Sequence, residues 1–333
     1  MTELKTSDFD YHLPQELIAQ TPSQKRDHSR LMVLHRKTKT IEHKLFKDVI
    51  DYLLPGDVLV INDTKVIPAN IIGRKEDGTA KIEVLLVRKK QENIWTCLVK
   101  PGKRLKVGSF IIFSDNLKGR VLEKLETGEQ VIEFFGDLYA YSHEHGEIPL
   151  PPYIHKNPKL SERYQTVYAA NEGASAAPTA GLHFTPELLA AISAKGIDIR
   201  KITLHTGLGT FKPVYADYIR DHKMFSEEYA VTQNTMDAIN NAKRVVAVGT
   251  TSVRTLETIA RGGELVGSTD IFIYPGFKFE LVNCMITNFH VPRSTLMMLV
   301  SAFAGRDFIF QAYKEAIEKE YRFFSFGDAM III

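Results

Sequence analysis

Six short β-rich runs follow one another between Asp57 and about residue 137, and nothing in that stretch has helical spacing. They are "DVLVIND", "AKIEVLLVR", "NIWTCLVK", "SFIIF", "RVLE" and "QVIEFF". Gly, Asp and Asn turns part them at roughly ten-residue intervals, the signature of a small antiparallel barrel or sandwich. The Pro-rich "GEIPLPPYI", Gly146–Ile154, then reads as an extended return segment.

The flanks have a different texture. Before the β-rich stretch come short helices near Pro14–Gln20 and Phe46–Leu54, with a strand at Leu31–His35 between them. After it, helix and strand alternate. "TPELLAAISAKG" has Thr185 as N-cap, Pro186 at the first helical position and Gly196 past the end. "TMDAINNAKR", "SVRTLETIAR", "STLMMLVSAF" and "RDFIFQAYKEAIEKE" read as further helices; "DIRKITLH", "VVAVGT", "DIFIYPG" and "LVNCMITNFH" read as strands. The expected architecture is a mixed-sheet α/β domain built from both chain ends, residues 1–56 plus 155–333. Residues 57–154 form an inserted small antiparallel β-barrel domain.

Composition narrows the function classes. The 333 residues are 44% hydrophobic and 25% charged, enough for a sizeable core. A net charge of +2 means that any nucleic-acid contact must be a local patch. Two cysteines, Cys97 and Cys284, give neither a disulfide framework nor a CxxC zinc signature. No apolar run is long enough for a membrane span, and the polar, acidic start is unlike a signal peptide. A soluble, cytoplasmic monomer is expected. There is no GxGxxG and no Walker A run.

Three histidines lie beside turn-forming segments. In "GASAAPTAGLHF" nine residues without bulk precede His183, so Pro178, Thr179, Ala180 and Gly181 offer bare backbone to a ligand. In "TLHTGLGTFKPV" His205 adjoins Gly207, Gly209 and Thr210. In "ITNFHVPRST" His290 follows Asn288 at a strand end. Neutral imidazoles suit proton transfer near pH 7, and no carboxylate is placed to orient the three as zinc ligands. "VVAVGTTSVRTLE" is a strand, a turn and a helix start; Gly249, Thr250, Thr251, Ser252 and Arg254 there suit an anion. If that turn merely caps its helix, Ser252 is the N-cap. "RFFSFGDAM" contributes Asp328 as a candidate binding residue, or is a C-terminal strand plugged into the core. The basic clusters "KRDHSR" and "KPGKRLK" supply Arg26, Arg30, Lys100, Lys103 and Arg104.

Taken together and in order, eleven segments resemble the S-adenosylmethionine:tRNA ribosyltransferase-isomerase family of queuosine biosynthesis. They include "RDHSRLMVL", "PGDVLVINDTKVIPA", "RYQTVYA", "AAPTAGLHFT", "LHTGLGTFKPV", "VVAVGTTSVRTLE", "ITNFHVPRSTLMMLVSAFAG" and "YRFFSFGDAM". Asn70 and Ile71 stand where the family usually has an Arg-Leu pair, and Thr206 replaces a common Val; position 70 is assigned no role. The resemblance implies transfer and isomerisation of the ribosyl moiety of S-adenosylmethionine onto a wobble base. That base is a 7-aminomethyl-7-deazaguanine in a tRNA anticodon stem-loop; adenine and methionine leave, and epoxyqueuosine remains. It implies no metal and no cofactor, S-adenosylmethionine being a consumed substrate. On that reading His183, His205 and His290 are the candidate acid–base groups, and the turns beside them bind substrate. The five basic residues grip tRNA. A binding module that holds nucleotide or RNA without chemistry is the alternative, and an unrelated nucleoside hydrolase a third possibility.

Overall fold

The computed structural model describes residues 3–126, 128–155, 160–207 and 214–333. In chain order the strands are β1 (Arg30–His35), β2 (Thr40–Leu45), β3 (Asp57–Asn62), β4 (Thr64–Val66), β5 (Asn70–Lys75), β6 (Lys81–Gln91), β7 (Ile94–Lys100), β8 (Phe110–Ser114) and β9 (Leu117–Lys124). Then come β10 (Gln130–Phe135), β11 (Asn171–Ala174), β12 (Asp198–Leu204), β13 (Glu227–Val231), β14 (Arg244–Val248), β15 (Val266–Thr269), β16 (Cys284–Asn288) and β17 (Ala329–Ile332). The α-helices are α1 (Leu138–His145), α2 (Pro186–Ala194), α3 (Gln233–Asn240), α4 (Gly249–Ala260), α5 (Thr295–Ala304) and α6 (Arg306–Glu318).

Two compact units result. The first comprises Met1–Thr64, Pro151–Ala170 and Pro178–Ile333; the second comprises Lys65–Leu150 and Asn171–Ala177. The second is a closed barrel in the order β10-β7-β6-β5-β8-β9, every pairing antiparallel. Its interior holds Ile71, Ile82, Val84, Trp95, Ile111, Ile132 and Phe134. Alternation along each strand turns these inward and the charged residues outward.

The first unit is built on a nine-stranded mixed sheet, β15-β13-β12-β3-β14-β16-β17-β1-β2. Its central strands β12, β3, β14 and β16 run parallel. Asp57–Asn62, which the sequence reading placed at the head of the inserted barrel, is one of these central strands. All six of its residues are buried. Leu59 and Ile61 face one core layer and Val58 and Val60 the other, so both faces are covered. A central parallel strand reads as an unbroken apolar run and not as a half-exposed barrel strand.

Two other expectations change. The early helices are 3-10 turns, Gln15–Leu17 and Phe46–Tyr52. "DIFIYPG" is not a strand: Val266–Thr269 ends just before it, and residues 270–283 run irregularly. Their backbone is satisfied by a side chain instead of a ladder. The fully buried Glu257 carboxylate accepts from the N–H groups of Glu280, Leu281 and Val282. The Thr185 cap stands as expected, its hydroxyl accepting from Leu188 N at 3.1 Å.

Candidate active site at the strand ends

Parallel strands present their carboxyl ends on one edge, where α/β sheets bind ligands. Here that edge carries Asn62 closing β3 with Asp63 and Thr64 after it, His205 to Gly207 after β12, Gly249 after β14 and Asn288 closing β16. Strand β17 runs antiparallel to β16 and parallel to β1, pairing Asn288 with Ala329 and Ala329 with Leu31. The starts of β17 and β1 therefore join the same edge and bring Asp328, Ser29 and Arg30 to it.

His183 ends a 3-10 turn, Thr179–His183, and is 4% exposed. Its ring stacks on Phe46, with centroids 4.8 Å apart and 25° between planes. Asn288 Nδ2 donates to Nε2 at 2.9 Å. The amide orientation is fixed by its other contacts: Oδ1 accepts from Thr179 Oγ1 at 3.0 Å, and Nδ2 faces the Asp328 carbonyl at 3.4 Å. Nε2 is therefore the acceptor, and Nδ1–H donates to Ser29 Oγ at 2.7 Å. Burial, with the charges of Arg26 and Arg322 adding, pushes the His183 pKa down to about 3. The ring is neutral and both nitrogens are engaged.

His205 differs. It is half-buried, and Nδ1 shares a hydrogen bond with Thr64 Oγ1 at 2.8 Å. Among the described residues Nε2 has no partner. Burial lowers its pKa, against the opposing charges of Glu228 and Asp63. Asp63 accepts from Thr203 Oγ1 at 2.7 Å, and Asn62 clamps β12 to β3 through both the N–H and the carbonyl of Leu204. From His205 to Asn288 the edge spans three inter-strand steps, roughly 14 Å.

Between them lies the start of α4. Gly249 has φ of +85°, a conformation glycine tolerates, and its Cα faces the Ala180 side chain. The structure thus brings the 178–183 segment and the 249–252 turn together. No side chain caps the first turn of α4. Ser252 is not the N-cap: it sits inside the helix and donates back to Val248 O at 2.8 Å. The hydroxyls of Thr251 and Thr206 are buried and, among the described residues, unpartnered. Buried polar groups left so are sites where a ligand or water completes the bonding. Arg254 is spoken for. It forms a buried ion pair with Glu227, which also accepts from Gly207 N at 3.2 Å.

His290 belongs to the other side of the sheet. Neighbouring Phe289 packs with Tyr313 and Tyr321 in the layer that also holds α5 and α6. The Tyr11 hydroxyl donates to the His290 carbonyl, His290 N donates to Tyr313 Oη at 2.9 Å, and Nε2 meets Thr287 Oγ1 at 3.1 Å. Burial alone pushes its pKa down to about 3. The three histidines do not form one set. Among the described residues no three His, Cys, Asp or Glu side chains group as metal ligands.

Asp328 is 2% exposed, and its carboxylate accepts from Arg30 N, Arg30 Nε and Arg322 N. Arg30 also stacks on Tyr321 and donates to the carbonyls of Lys319 and Glu320. Arg26 donates to Leu182 O at 3.0 Å, beside His183. In the barrel unit Lys100 ends β7, and Lys103 lies in the turn Gly102–Arg104; both are exposed. Gly209, Thr210 and the Arg104 side chain lie outside what is described. An open cleft is lined by Pro22, Ser23, Arg26, Arg163, Leu182, His183 and Ser325–Gly327. Neither His205 nor the Thr250–Arg254 segment lines it. Sequence reading missed Ser29, Asp63 and Thr64. The polar "NDT" directly after an apolar run was the available signal, once that run is seen as a central strand.

Residues 6–332 match the family described as queuosine biosynthesis protein. An S-adenosylmethionine:tRNA ribosyltransferase-isomerase of Thermotoga petrophila is 53% identical over 337 residues, covering 99% of this chain and 100% of its own. One from Sulfurihydrogenibium is 54% identical over 336 residues with the same coverage. The crystal structure of an S-adenosylmethionine tRNA ribosyltransferase from Thermotoga maritima aligns with a TM-score of 0.57 at 44% identity. That alignment covers 98% of this chain and all of the other.

Proposed function

This chain belongs to the queuosine biosynthesis protein family, and on that premise we propose that it is an S-adenosylmethionine:tRNA ribosyltransferase-isomerase. The observation that carries this reading is identity above half, sustained over the full length of relatives bearing that name. The reaction moves the ribosyl carbons of S-adenosylmethionine onto the aminomethyl nitrogen of a 7-deazaguanine at the tRNA wobble position. Adenine and methionine leave, and S-adenosylmethionine is consumed as a substrate with no second cofactor. We place the enzyme in the cytoplasm, as a monomer acting on the anticodon stem-loop.

The strand-end edge suits this chemistry. The sulfonium acidifies the adjacent C5′ hydrogens, so a neutral base must reach that carbon. His205 is our candidate: its lowered pKa keeps it unprotonated at pH 7, and the tautomer with Nδ1–H toward Thr64 Oγ1 leaves the lone pair on Nε2. The uncapped first turn of α4, with Thr250 and Thr251, is suited to the methionine carboxylate. Backbone from Pro178 to Gly181 lies against that turn and is suited to the nucleoside. His183 would act by position, tying this segment to β1 through Ser29 and to β16 through Asn288.

The deciding experiment measures adenine release from S-adenosylmethionine, with and without tRNA carrying the 7-aminomethyl-7-deazaguanine. Release that requires this tRNA is expected. Tight RNA binding with no release would leave a binding module, and release without RNA a nucleoside hydrolase.

A further inference from the structure

Three separate segments each deliver one arginine to the cleft beside His183. Arg26 comes from the turn before β1, Arg163 from the 3-10 turn Glu162–Tyr164, and Arg322 from the loop before β17. Arg26 and Arg163 line the cleft, and Arg322 reaches its rim, where Nη1 faces Ser23 Oγ at 3.4 Å. All three residues are half-buried.

Among the described residues no carboxylate answers these charges: none of the three arginines forms an ion pair, whereas Arg30, Arg244 and Arg254 of the same unit each do. The three donate only to neutral oxygens. Arg26 Nη1 goes to Leu182 O, Arg163 Nη1 and Nη2 go to Gln24 O and Ser23 O, and Arg322 goes to Ser23 Oγ and Thr21 O. A guanidinium has five N–H donors, so most remain unspent. Arg163 Nε is buried and, among the described residues, has no partner. Burial is the main cause that lowers the Arg26 and His183 pKa values, and like charges add to it: Arg163 at Arg26, and Arg26 with Arg322 at His183. Like charges gathered without a counter-charge, and with donors to spare, form a site for an anion that several guanidiniums can chelate.

We propose that Arg26, Arg163 and Arg322 form a phosphate-binding cleft that holds a backbone phosphodiester of the RNA substrate next to the reacting base. Arg163 and Arg322 thereby become substrate-positioning residues. The proposal rests on the tRNA reading above. A carboxylate of S-adenosylmethionine is the lesser match, since a zwitterion with a sulfonium gains little from three cations.

The test uses the full chain and tRNA binding measured without turnover, across a salt series. Arg163→Met and Arg322→Met should each weaken binding and flatten the log–log salt slope by about 0.7 to 0.9, the loss of one phosphate contact. Arg163→Lys should keep the slope, because it keeps the charge. The KM for S-adenosylmethionine should stay within about twofold, a bound well inside the tenfold that 1.4 kcal/mol would give. Slopes unchanged in both Met variants, or a raised S-adenosylmethionine KM in their place, would overturn the cleft. Should a variant fold poorly, the wild-type protein answers instead. An arginine-selective dicarbonyl reagent should modify Arg163 and Arg322, and tRNA but not S-adenosylmethionine should protect them. Absence of that protection also overturns the proposal. Wild-type enzyme that binds with these slopes but releases no adenine sinks the reaction and spares the cleft; normal turnover with unmoved slopes does the reverse.

Discussion

Asn288 donates its side-chain N–H to His183 Nε2 across 2.9 Å, and this bond fixes the imidazole as a neutral, Nδ1-protonated ring. The stability of the fold therefore depends on pH in a definite sense. The folded pKa lies near 3 and the ordinary value is 6.5, for His183 and for His290 alike. Between those values the unfolded chain binds a proton that the folded chain refuses. Stability is complete above about pH 6.5 and is lost as pH falls toward 3, at up to about 1.4 kcal/mol per pH unit for each ring. From pH 7 to pH 5 the pair should cost up to about 4 kcal/mol. Urea unfolding at the two pH values measures it, at a pH still above the carboxylate range. His290→Gln should remove close to half the difference; an unchanged difference would mean that the ring titrates freely in the folded protein.

His205 should behave as a catalytic base where His183 does not. Replacing it by Ala should lower turnover by about a hundredfold or more, the scale of a lost acid–base group, with little change in melting temperature. Burial has lowered its pKa, so the acid limb of the rate profile should fall below the usual histidine range. His183→Ala should lower both turnover and stability, because it orphans Ser29 and Asn288. If His205→Ala turns over at near wild-type rate while His183→Ala is folded and inactive, the two roles are exchanged.

The ion pair of Arg254 with Glu227 is the joint between the His205 loop and α4. Glu227 holds Gly207 N as well, so one carboxylate ties β12, β13 and α4 together. Removing one partner of a buried pair leaves the other charge unanswered, at about 3 to 5 kcal/mol. Arg254→Met should cost that much in chemical unfolding, and Glu227→Gln a similar amount. The double variant should cost less than the two singles combined. Strict additivity would show that the pair is not coupled.

Much of this architecture was legible because local signals agreed with the global fold. Capping at Thr185, the alternating barrel strands and the helix read at "RDFIFQAYKEAIEKE" each needed only neighbours in sequence. What was not legible depended on partners far along the chain. Asp57–Asn62 reads as a barrel strand until β12 and β14 are known to flank it on both sides. The irregular course of residues 270–283 follows from a carboxylate on α4, Glu257. Bare backbone at Gly181 suggested an approaching ligand. A Cβ there would collide with the Tyr168 hydroxyl and meet Thr166 Cγ2 at 2.8 Å, so packing within the protein already requires the glycine. Three histidines in similar settings suggested one set, yet β16 ends at Asn288 and His290 beyond it is held by Tyr11 and Tyr313, away from His183.

The five basic residues first singled out for tRNA now separate into two kinds. Arg30 is committed: Asp328 accepts from its N–H and its Nε, two backbone carbonyls accept from Nη1 and Nη2, and Tyr321 lies 4.2 Å beneath it. Substituting it releases a buried carboxylate, and the loss is one of structure. Arg30→Ala should lower the melting temperature clearly while leaving the salt slope of tRNA binding in place. Lys100 and Lys103 are exposed, and no ion pair involves either among the described residues. Exposed lysines without partners carry little stability, so Lys100→Ala and Lys103→Ala should melt within about 0.5 kcal/mol of wild type. Where they touch phosphate, each should flatten the slope by about 0.7 to 0.9, and Arg104→Ala belongs in the same series. Thermal melting and tRNA affinity at four or more salt concentrations, on the same preparations, separate the two kinds. A flattened slope with unchanged melting in Arg30→Ala would show that the Asp328 pair opens to admit RNA. Unchanged slopes in the lysine variants would leave that end of the barrel as a solvated surface.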